Sequence, residues 1–317
     1  APDMTDAPDL AVNLLLAGLL WLLLEALANG LYPLLRPQLQ RLTPQRAAPV
    51  LMTIALLPLG LSALITILLA SPGLEPWLVS DHCHAGTDCS AHSPAALAPP
   101  MMAVLGGLSL LLMLAHLGRR LQPLRRHHAA LRRLGAAGAC PQPQGHHLID
   151  HPRALALTTG LWRPRVWLTQ GLTQALSAEA VAIVLAHEHT HRQRRDPLRH
   201  LLAGLSRLLP HSRTLLMDLQ QTSEHLADHH AATVSGPRQV AETLIQVQRL
   251  TQPPIGLGHS AFAEGDLTAR IHRLLHPPVE PRHVRARLAL FALVLLGATL
   301  ASVGPLHHFS EWVMGVG

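Results

Sequence analysis

The sequence contains no lysine, so all 25 of its basic side chains are arginines. It is also poor in aromatic residues, with three phenylalanines and one tyrosine among 317 residues. Aromatic side chains are the stacking platforms of proteins that bind single-stranded nucleic acid. Their scarcity argues against direct nucleic-acid binding, despite the net charge of +6. The three cysteines are too few for a disulfide-rich scaffold.

Charged residues are few as well, at 14% of the chain, whereas 49% of the residues are apolar. The mean hydropathy of +0.24 excludes a disordered chain and points to a membrane protein. Four apolar stretches are long enough to cross a bilayer and are predicted as transmembrane helices: 10–28, 47–70, 99–117 and 288–306. The N-terminal tail lacks the basic region of a signal peptide, so we expect the first helix to be retained.

The arginines are distributed unevenly around these stretches. Three of them lie between the first two stretches, and the other 22 lie between Arg119 and Arg287. By the positive-inside rule, both segments are predicted in the cytoplasm of a bacterium, with the two termini outside the inner membrane. The chain then divides into a membrane domain (1–118), a cytoplasmic domain (119–285) and a fourth span with a short outside tail (286–317).

The cytoplasmic segment is predicted to begin with a basic helix, followed by a Gly/Pro-rich linker over 135–152. Two short strand-like runs come next, at 154–158 and 165–168, separated by a turn at Gly160. Ser177 is the predicted N-cap of a long helix over 178–194. We expect further helices over 198–250 and near 265–275.

The strongest motif, His187-Glu188-His189-Thr190-His191, lies on the helix predicted over 178–194. Residues at i and i+4 share a helical face, so His187 and His191 can place two imidazoles on one metal ion. Glu188 lies at the rim of that face, where its carboxylate can reach a water molecule beside the metal. This spacing is typical of a zinc peptidase.

A third metal ligand is expected from a later helix. A metzincin is excluded, because glycine and histidine would stand where this chain has Arg194 and Pro197. Glu224 and Asp228 share one helical face, so Glu224 is predicted as the third ligand and Asp228 as the acceptor of a ligand histidine's N–H. Three protein ligands and one open position are typical of a catalytic zinc.

Other interpretations of these residues stay open. His225 and His229 form a second i, i+4 pair, which could bind a metal ion of its own or be solvated. Asp196 could pair with a neighbouring arginine at the surface. Glu224 could be an exposed carboxylate without a ligand role.

Taken together, the motifs resemble a known family. His187 to His191, the following Arg195-Asp196-Pro197, and Glu224-x-x-x-Asp228 are similar to the gluzincin-type integral-membrane peptidases. Within these, the chain resembles the beta-lactam sensor-transducer, or antirepressor, family of membrane zinc metallopeptidases. With the predicted spans, the resemblance implies a mainly α, polytopic membrane protein with four transmembrane helices. A cytoplasmic α+β gluzincin-like zinc peptidase domain is then inserted between helices three and four.

The resemblance also implies the chemistry. Zn²⁺ is the expected cofactor, and three side chains are its expected ligands: His187, His191 and Glu224. Glu188 is the expected general base, with support from Asp228 and, more weakly, from Asp196. The expected substrate is a cytoplasmic protein, in that family a transcriptional repressor, which is cleaved in response to an external signal.

The alternatives are a constitutive quality-control protease of the membrane and a signalling scaffold without proteolysis. A homodimer is left open.

Arg270 and His272 are candidate donors to the oxyanion that develops during hydrolysis, and the alternative for both is a solvated helix face. The strand predicted over 165–168 could pair with an extended substrate as an added strand.

The loop between the second and third predicted spans is rich in metal-binding side chains. Residues 81–92 contain two of the three cysteines and three histidines. Outside the cytoplasm, one interpretation is a disulfide between Cys83 and Cys89. The other is a copper or zinc site formed by His82, Cys83, His84 and Cys89. In the second interpretation, metal binding in the loop gates the peptidase through the third span.

Overall fold

The computed structural model describes residues 6–69, 100–136, 140–209, 212–251, 260–278, 286, 289–294, 296–301 and 304–305. Most of them are helical, which confirms the prediction of a mainly α chain. Residues 81–92, with His82, Cys83, His84 and Cys89, lie outside these ranges. The disulfide and the metal site predicted there stay predictions.

Three long helices form the apolar part: α1 (Asp6–Leu39), α2 (Pro44–Leu69) and α3 (Pro100–Ala136). Each contains a stretch long and apolar enough to cross a membrane, namely Asn13–Leu39, Pro44–Ile67 and Val104–Gln122. These stretches indicate a membrane protein. The apolar stretch Ala289–Ala301 is also helical where it is described, but it is shorter than a span. A fourth span therefore stays a prediction.

A small mixed sheet follows the third helix. Its strands are β1 (Cys140–Pro141), β2 (His146–Ile149), β3 (Ala156–Thr159) and β4 (Arg165–Thr169), in the order β1-β2-β4-β3. β1 and β2 lie in the segment predicted as a linker. β2 has only four residues, and glycine and proline flank it on both sides, so the pattern of the sequence did not indicate a strand there. Gly160, with φ of +110°, makes the turn between β3 and β4. A Cβ there would lie 2.9 Å from the carbonyl oxygen of Arg163.

The position of β4 corrects one prediction. β4 pairs with β2 in parallel and with β3 in antiparallel register, so both of its edges are occupied. It has no free edge for an added substrate strand. β3 lies at the end of the sheet instead, and its outer edge has no strand partner within the described part of the chain.

Six helices complete the domain: α4 (Gln170–Ala175), α5 (Ala178–Arg194), α6 (Asp196–Leu205), α7 (Arg213–Ser235), α8 (Pro237–Thr251) and α9 (Ser260–Leu275). α5 packs on the sheet, with Val184 and Leu185 against Val166 and Leu168. α7 packs between α5 and α2.

Helices α6 and α7 also share a core with the long apolar helices. Leu215 and Leu219 of α7 and Ala203 of α6 are buried in one cluster with residues of α1 and α2, among them Tyr32 and Leu51. These later helices and the long apolar helices α1 and α2 are therefore packed together rather than joined by a linker alone.

Candidate metal centre

The helix that carries the histidine motif has well-defined ends. The predicted N-cap is confirmed, since the hydroxyl of Ser177 accepts from the backbone N–H of Ala180 at 3.2 Å. At the other end Arg195 is left-handed, with φ of +55° and ψ of +44°, and α6 begins at once with Asp196. This turn directs the buried carboxylate of Asp196 back to His191, with Oδ2 2.8 Å from Nδ1.

The two imidazoles of the motif converge. Nδ1 of His187 lies 2.9 Å from Oδ1 of Asp228, just as Nδ1 of His191 faces Asp196. These partners assign the ring proton to Nδ1 in both rings, because a carboxylate can only accept. The two Nε2 atoms, which lie 3.1 Å apart, then direct lone pairs at one point. Two lone pairs placed in this way repel each other unless a proton or a metal cation lies between them.

Glu224 completes a three-donor group. Its Oε2 is 3.4 Å from Nε2 of His187, and its Oε1 is 3.5 Å from Nε2 of His191. One ligand atom from each residue lies within 4.8 Å of the others. Two nitrogens at about 2.0–2.1 Å from a tetrahedral zinc would be roughly 3.3 Å apart, close to the spacing found. The donor set therefore fits zinc.

The charges of the site also fit a divalent cation. Four carboxylates surround it, on Glu188, Asp196, Glu224 and Asp228. Two guanidinium groups contact them: Arg194 lies 3.4 Å from Asp196, and Arg270 contacts both Glu224 and Asp228. With neutral imidazoles, an excess of two negative charges remains, which a divalent ion would balance.

The pKa shifts of His187 and Glu224 agree with this excess of negative charge. Burial lowers the pKa of His187, but its hydrogen bonds to Asp228 and Glu224 outweigh burial and raise it to about 10. Burial raises the pKa of Glu224, but the hydrogen bond to His187 and nearby positive charges bring it well below the ordinary value. The site therefore stabilises positive charge between the imidazoles and the carboxylate.

Arg270 lines the same cleft as the metal donors, where its guanidinium contacts two carboxylates. Its Nε and Nη2 donate to the two oxygens of Asp228 at 2.8 and 2.7 Å, and its Nη1 lies 3.3 Å from Oε2 of Glu224. The guanidinium is thus engaged by carboxylates, and its predicted role as a donor to the oxyanion stays a prediction. It fixes Asp228, which in turn holds His187. Nothing in the spacing of the sequence indicated this contact between α9 and α7.

His272 is not brought to the metal centre. It lines a separate cavity beside the ends of α1 and α2, where its ring stacks on that of His276 with centroids 4.9 Å apart. The prediction that His272 donates to the oxyanion is corrected accordingly. Both residues lie on α9, but two positions along a helix turn a side chain by about 200°, so Arg270 and His272 cannot face the same cleft.

Glu188 lies on the cleft side of α5 and is 9% exposed. The hydroxyl of Thr158, in β3, lies 2.7 Å from its Oε2 and 2.9 Å from its backbone oxygen. No pattern along the chain points to Thr158, since a threonine in a strand is common. His200 was missed as well: it lines the cleft, and its Nε2 lies 3.1 Å from the hydroxyl of Ser223.

A cleft of about 430 Å³ opens over the three-donor group. One wall is β3 with the preceding Leu155, and the opposite wall is α8. Half of the side chains that line it beyond the donors are apolar, and they include Ile183, Val240, Leu244 and Val247. The cleft therefore offers apolar wall surface beside the charged donor group.

Comparison with known proteins agrees with this geometry. No curated protein and no solved structure matches the chain. Residues 122–253, which include the histidine motif, Glu224 and Asp228, match Peptidase family M48. The match indicates a metallopeptidase, and hence a hydrolase, and it supports a membrane-associated zinc metallopeptidase domain in this part of the chain.

Proposed function

We propose that the protein is a membrane-embedded zinc metalloendopeptidase in which His187, His191 and Glu224 hold the zinc ion. The observation that carries the proposal is the convergence of two imidazole Nε2 atoms, 3.1 Å apart, with each Nδ1 facing a buried carboxylate. Metal-ligating histidines usually donate their other N–H to such a partner, which fixes the ring and raises its basicity.

Glu188 is the proposed general base. A zinc ion held by the three ligands would polarise a water molecule and lower its pKa towards about 7. The carboxylate of Glu188 would accept a proton from the attacking water and would pass it to the leaving amine. Thr158 holds the carboxylate in place through its hydroxyl.

The substrate is proposed to bind as an extended chain along β3. The outer edge of this strand faces the cleft, where Leu155, Ala156, Leu157 and Thr158 line it. An extended peptide can hydrogen-bond to the backbone of such an edge, and the apolar walls can then take alternate side chains. Hydrogen bonds to the substrate backbone do not depend on the substrate's sequence. Any preference for particular substrate side chains therefore has to come from the apolar walls of the cleft.

The cleaved protein is proposed to be cytoplasmic. The positive-inside rule supports this placement, because no arginine lies in the tail before the first span, in 71–98 or after 306. A cysteine introduced between residues 71 and 98 should react with a membrane-impermeant thiol reagent in intact cells, in a background without the native cysteines. A cysteine at the exposed Thr251 should not. The opposite labelling pattern would contradict the proposal.

Two roles fit such an enzyme. The resemblance to the antirepressor family supports cleavage of a transcriptional repressor after an external signal. The open cleft with its backbone edge favours a second role, quality control of damaged proteins, because a backbone edge selects extended chain more than sequence. The contact between Thr158 and Glu188 speaks against a scaffold without proteolysis, since a scaffold has no need of a fixed carboxylate there.

The experiment uses the full chain in lipid nanodiscs and the variant Glu188→Gln. We expect the variant to keep one zinc ion per chain and to lose cleavage of an unfolded protein by about a thousandfold or more. Glu179→Gln, which changes an exposed carboxylate on the same helix, is the control and should retain activity. Full activity of Glu188→Gln, or a wild-type chain without zinc, would refute the proposal.

The same pair of proteins separates the two roles in cells. Cytoplasmic proteins that are cut by the wild type and not by Glu188→Gln are identified from their new N-termini. One regulator cut only under an inducing condition would support the signalling role. Many unrelated proteins cut in all conditions, and more of them after heat stress, would support quality control.

A further inference from the structure

The connection between α6 and α7 lies among the apolar helices. The hydroxyl of Ser206 donates to the carbonyl oxygen of Ala55 at 2.7 Å, and the indole N–H of Trp21 donates to the carbonyl oxygen of Ser206 at 3.0 Å. The buried guanidinium of Arg207 donates to the carbonyl oxygen of Ile54 and lies 3.3 Å from Oδ1 of Asn29. A turn of the peptidase domain is thus held by groups within two candidate spans.

Glu25 provides the centre of this contact. It lies in the middle of the first span, fully buried, and its two carboxylate oxygens accept the backbone N–H groups of Leu208 and Leu209 at 2.8 and 3.0 Å. At 1.5 Å per residue it is about 21 Å from the end of α1 at Leu39. A carboxylate at such depth is costly and is retained where it has a specific partner. Here the partner is the chain that leads into α7.

A second carboxylate holds α7 itself against the same span. Asp218 is 7% exposed. Its Oδ2 accepts from the hydroxyl of Tyr32 at 2.6 Å and from Nε of Arg36 at 2.7 Å, and its Oδ1 accepts from Nη2 of Arg36 at 3.1 Å. α1 therefore contacts α7 at two places, at the turn before the helix and about one and a half turns into it.

The other face of α7 carries the metal centre. Glu224 lies six residues, or about 9 Å, beyond Asp218 and is turned by about 240° around the helix. A translation or rotation of α7 would move Glu224 and Asp228 together relative to the imidazoles on α5. The position of the first span relative to α7 therefore sets the distance between donors from two different helices.

We propose that Glu25 and Asp218 are positioning residues for the third metal ligand. They hold α7 at the height and rotation at which Glu224 meets His187 and His191. Zinc affinity of the peptidase domain then depends on hydrogen bonds made within the membrane helices. The inference rests on the proposed function, because it assigns Glu224 to a zinc ion.

The test measures zinc affinity rather than activity. The full chain and its Glu25→Gln, Asp218→Asn and Tyr32→Phe variants are placed in nanodiscs, and zinc is titrated against a chromophoric chelator. Coupling between packed sites is altered about two- to thirtyfold by substitutions between them. We expect about tenfold weaker binding for Glu25→Gln and Asp218→Asn. Tyr32→Phe removes a single hydroxyl, and we expect about threefold weaker binding.

The matched control is Ser62→Ala. It removes the hydrogen bond from the Ser62 hydroxyl to the carbonyl oxygen of Ala17, at 2.7 Å, which joins two spans and does not contact the peptidase domain. It should lower thermal stability and leave zinc affinity unchanged. Equal loss of affinity in Ser62→Ala would show a general effect of destabilised spans and overturn the inference.

Wild-type affinity in all three variants would also overturn it, while the proposed function would stand. If a carboxylate variant does not fold, Tyr32→Phe alone decides, since it keeps the volume of the side chain. A wild-type chain that binds no zinc would instead refute the proposed function and the inference together. The three outcomes are therefore distinguishable.

Discussion

Helices α5 and α7 each carry two histidines at i, i+4, yet the surroundings of the two pairs differ. Behind His187 and His191 stand Asp228 and Asp196, each within 3 Å of an Nδ1 atom. Behind His225 stands Arg273, whose Nη1 is 3.4 Å from Nδ1, and burial together with this cation lowers the pKa of His225 to about 4. His229 is exposed.

Helical spacing alone does not make a metal site. Spacing brings two rings to one face in both helices. Only the first pair has carboxylates that fix the rings, and only this pair forms a three-donor group in the part of the chain that the structure describes. A metal site therefore depends on the partners behind the rings as much as on the interval between them.

The largest difference in zinc affinity should appear between variants that lack a proposed zinc ligand and a variant that lacks a histidine of the second pair. His187→Ala or Glu224→Ala leaves two donors. We expect zinc affinity to fall by more than about a hundredfold, because the loss of an outer partner alone costs about 10–100-fold. Proteolysis should be lost with it. Zinc per chain is measured by mass spectrometry after dialysis.

His225→Ala is the counterpart, a matched loss of an imidazole from the second pair. It should retain zinc and most of its activity. Full zinc content in both ligand variants, or loss of zinc in His225→Ala, would show that the pairs have been assigned the wrong way round.

The contrast also shows how much of the site could be predicted from the sequence. His187, Glu188 and His191 lie in one helix, and helical periodicity relates them directly. Glu224 and Asp228 form a second periodic pair, so their common face could be predicted, though not the helix they meet. Their approach to α5 follows from the packing of α7 between α5 and α2, which no local pattern records.

The contacts from Thr158 and Arg270 could not be predicted at all. Thr158 reaches Glu188 because β3 is the edge of the sheet, and the edge was expected elsewhere. The order of the strands depends on β2. This strand has only four residues and lies in a Gly/Pro-rich segment. Arg270 joins Asp228 across 42 positions of the chain, a distance at which periodicity carries no information. The three long apolar helices, by contrast, were visible from composition alone.

A smaller effect is expected when the carboxylates behind the first pair are changed. Asp196→Asn and Asp228→Asn keep the shape but remove the charge that orders each imidazole. Zinc affinity should fall about 10–100-fold, and more for Asp228→Asn, because Asp228 also holds Arg270. Chelator competition measures it, and Asp150→Asn, at an exposed carboxylate, is the control. Unchanged affinity in both variants would mean that the carboxylates do not distinguish the two pairs.

Thr158→Val tests the base rather than the metal. Without the hydroxyl, the carboxylate of Glu188 loses a hydrogen bond at 2.7 Å. A hydrogen bond to a charged group is worth about 1.5 kcal/mol or more, so we expect kcat to fall about tenfold, with zinc affinity and KM unchanged. Thr159→Val, at the neighbouring strand position, should have wild-type kinetics. A rise in KM with normal kcat would place Thr158 in substrate binding instead.

The smallest effect is expected at the exposed end of the second pair. His229→Ala should change zinc content, affinity and proteolysis less than about twofold, because His225 is tied to Arg273 and a dication would have to approach that guanidinium. A Coulomb repulsion of this kind is strong at short range in a partly buried site. Zinc titrations of the wild type and the variant should saturate at the same number of tight equivalents. A second tight equivalent, present in the wild type and absent from His229→Ala, would make the second pair a metal site, and carboxylates behind the rings would then not be required.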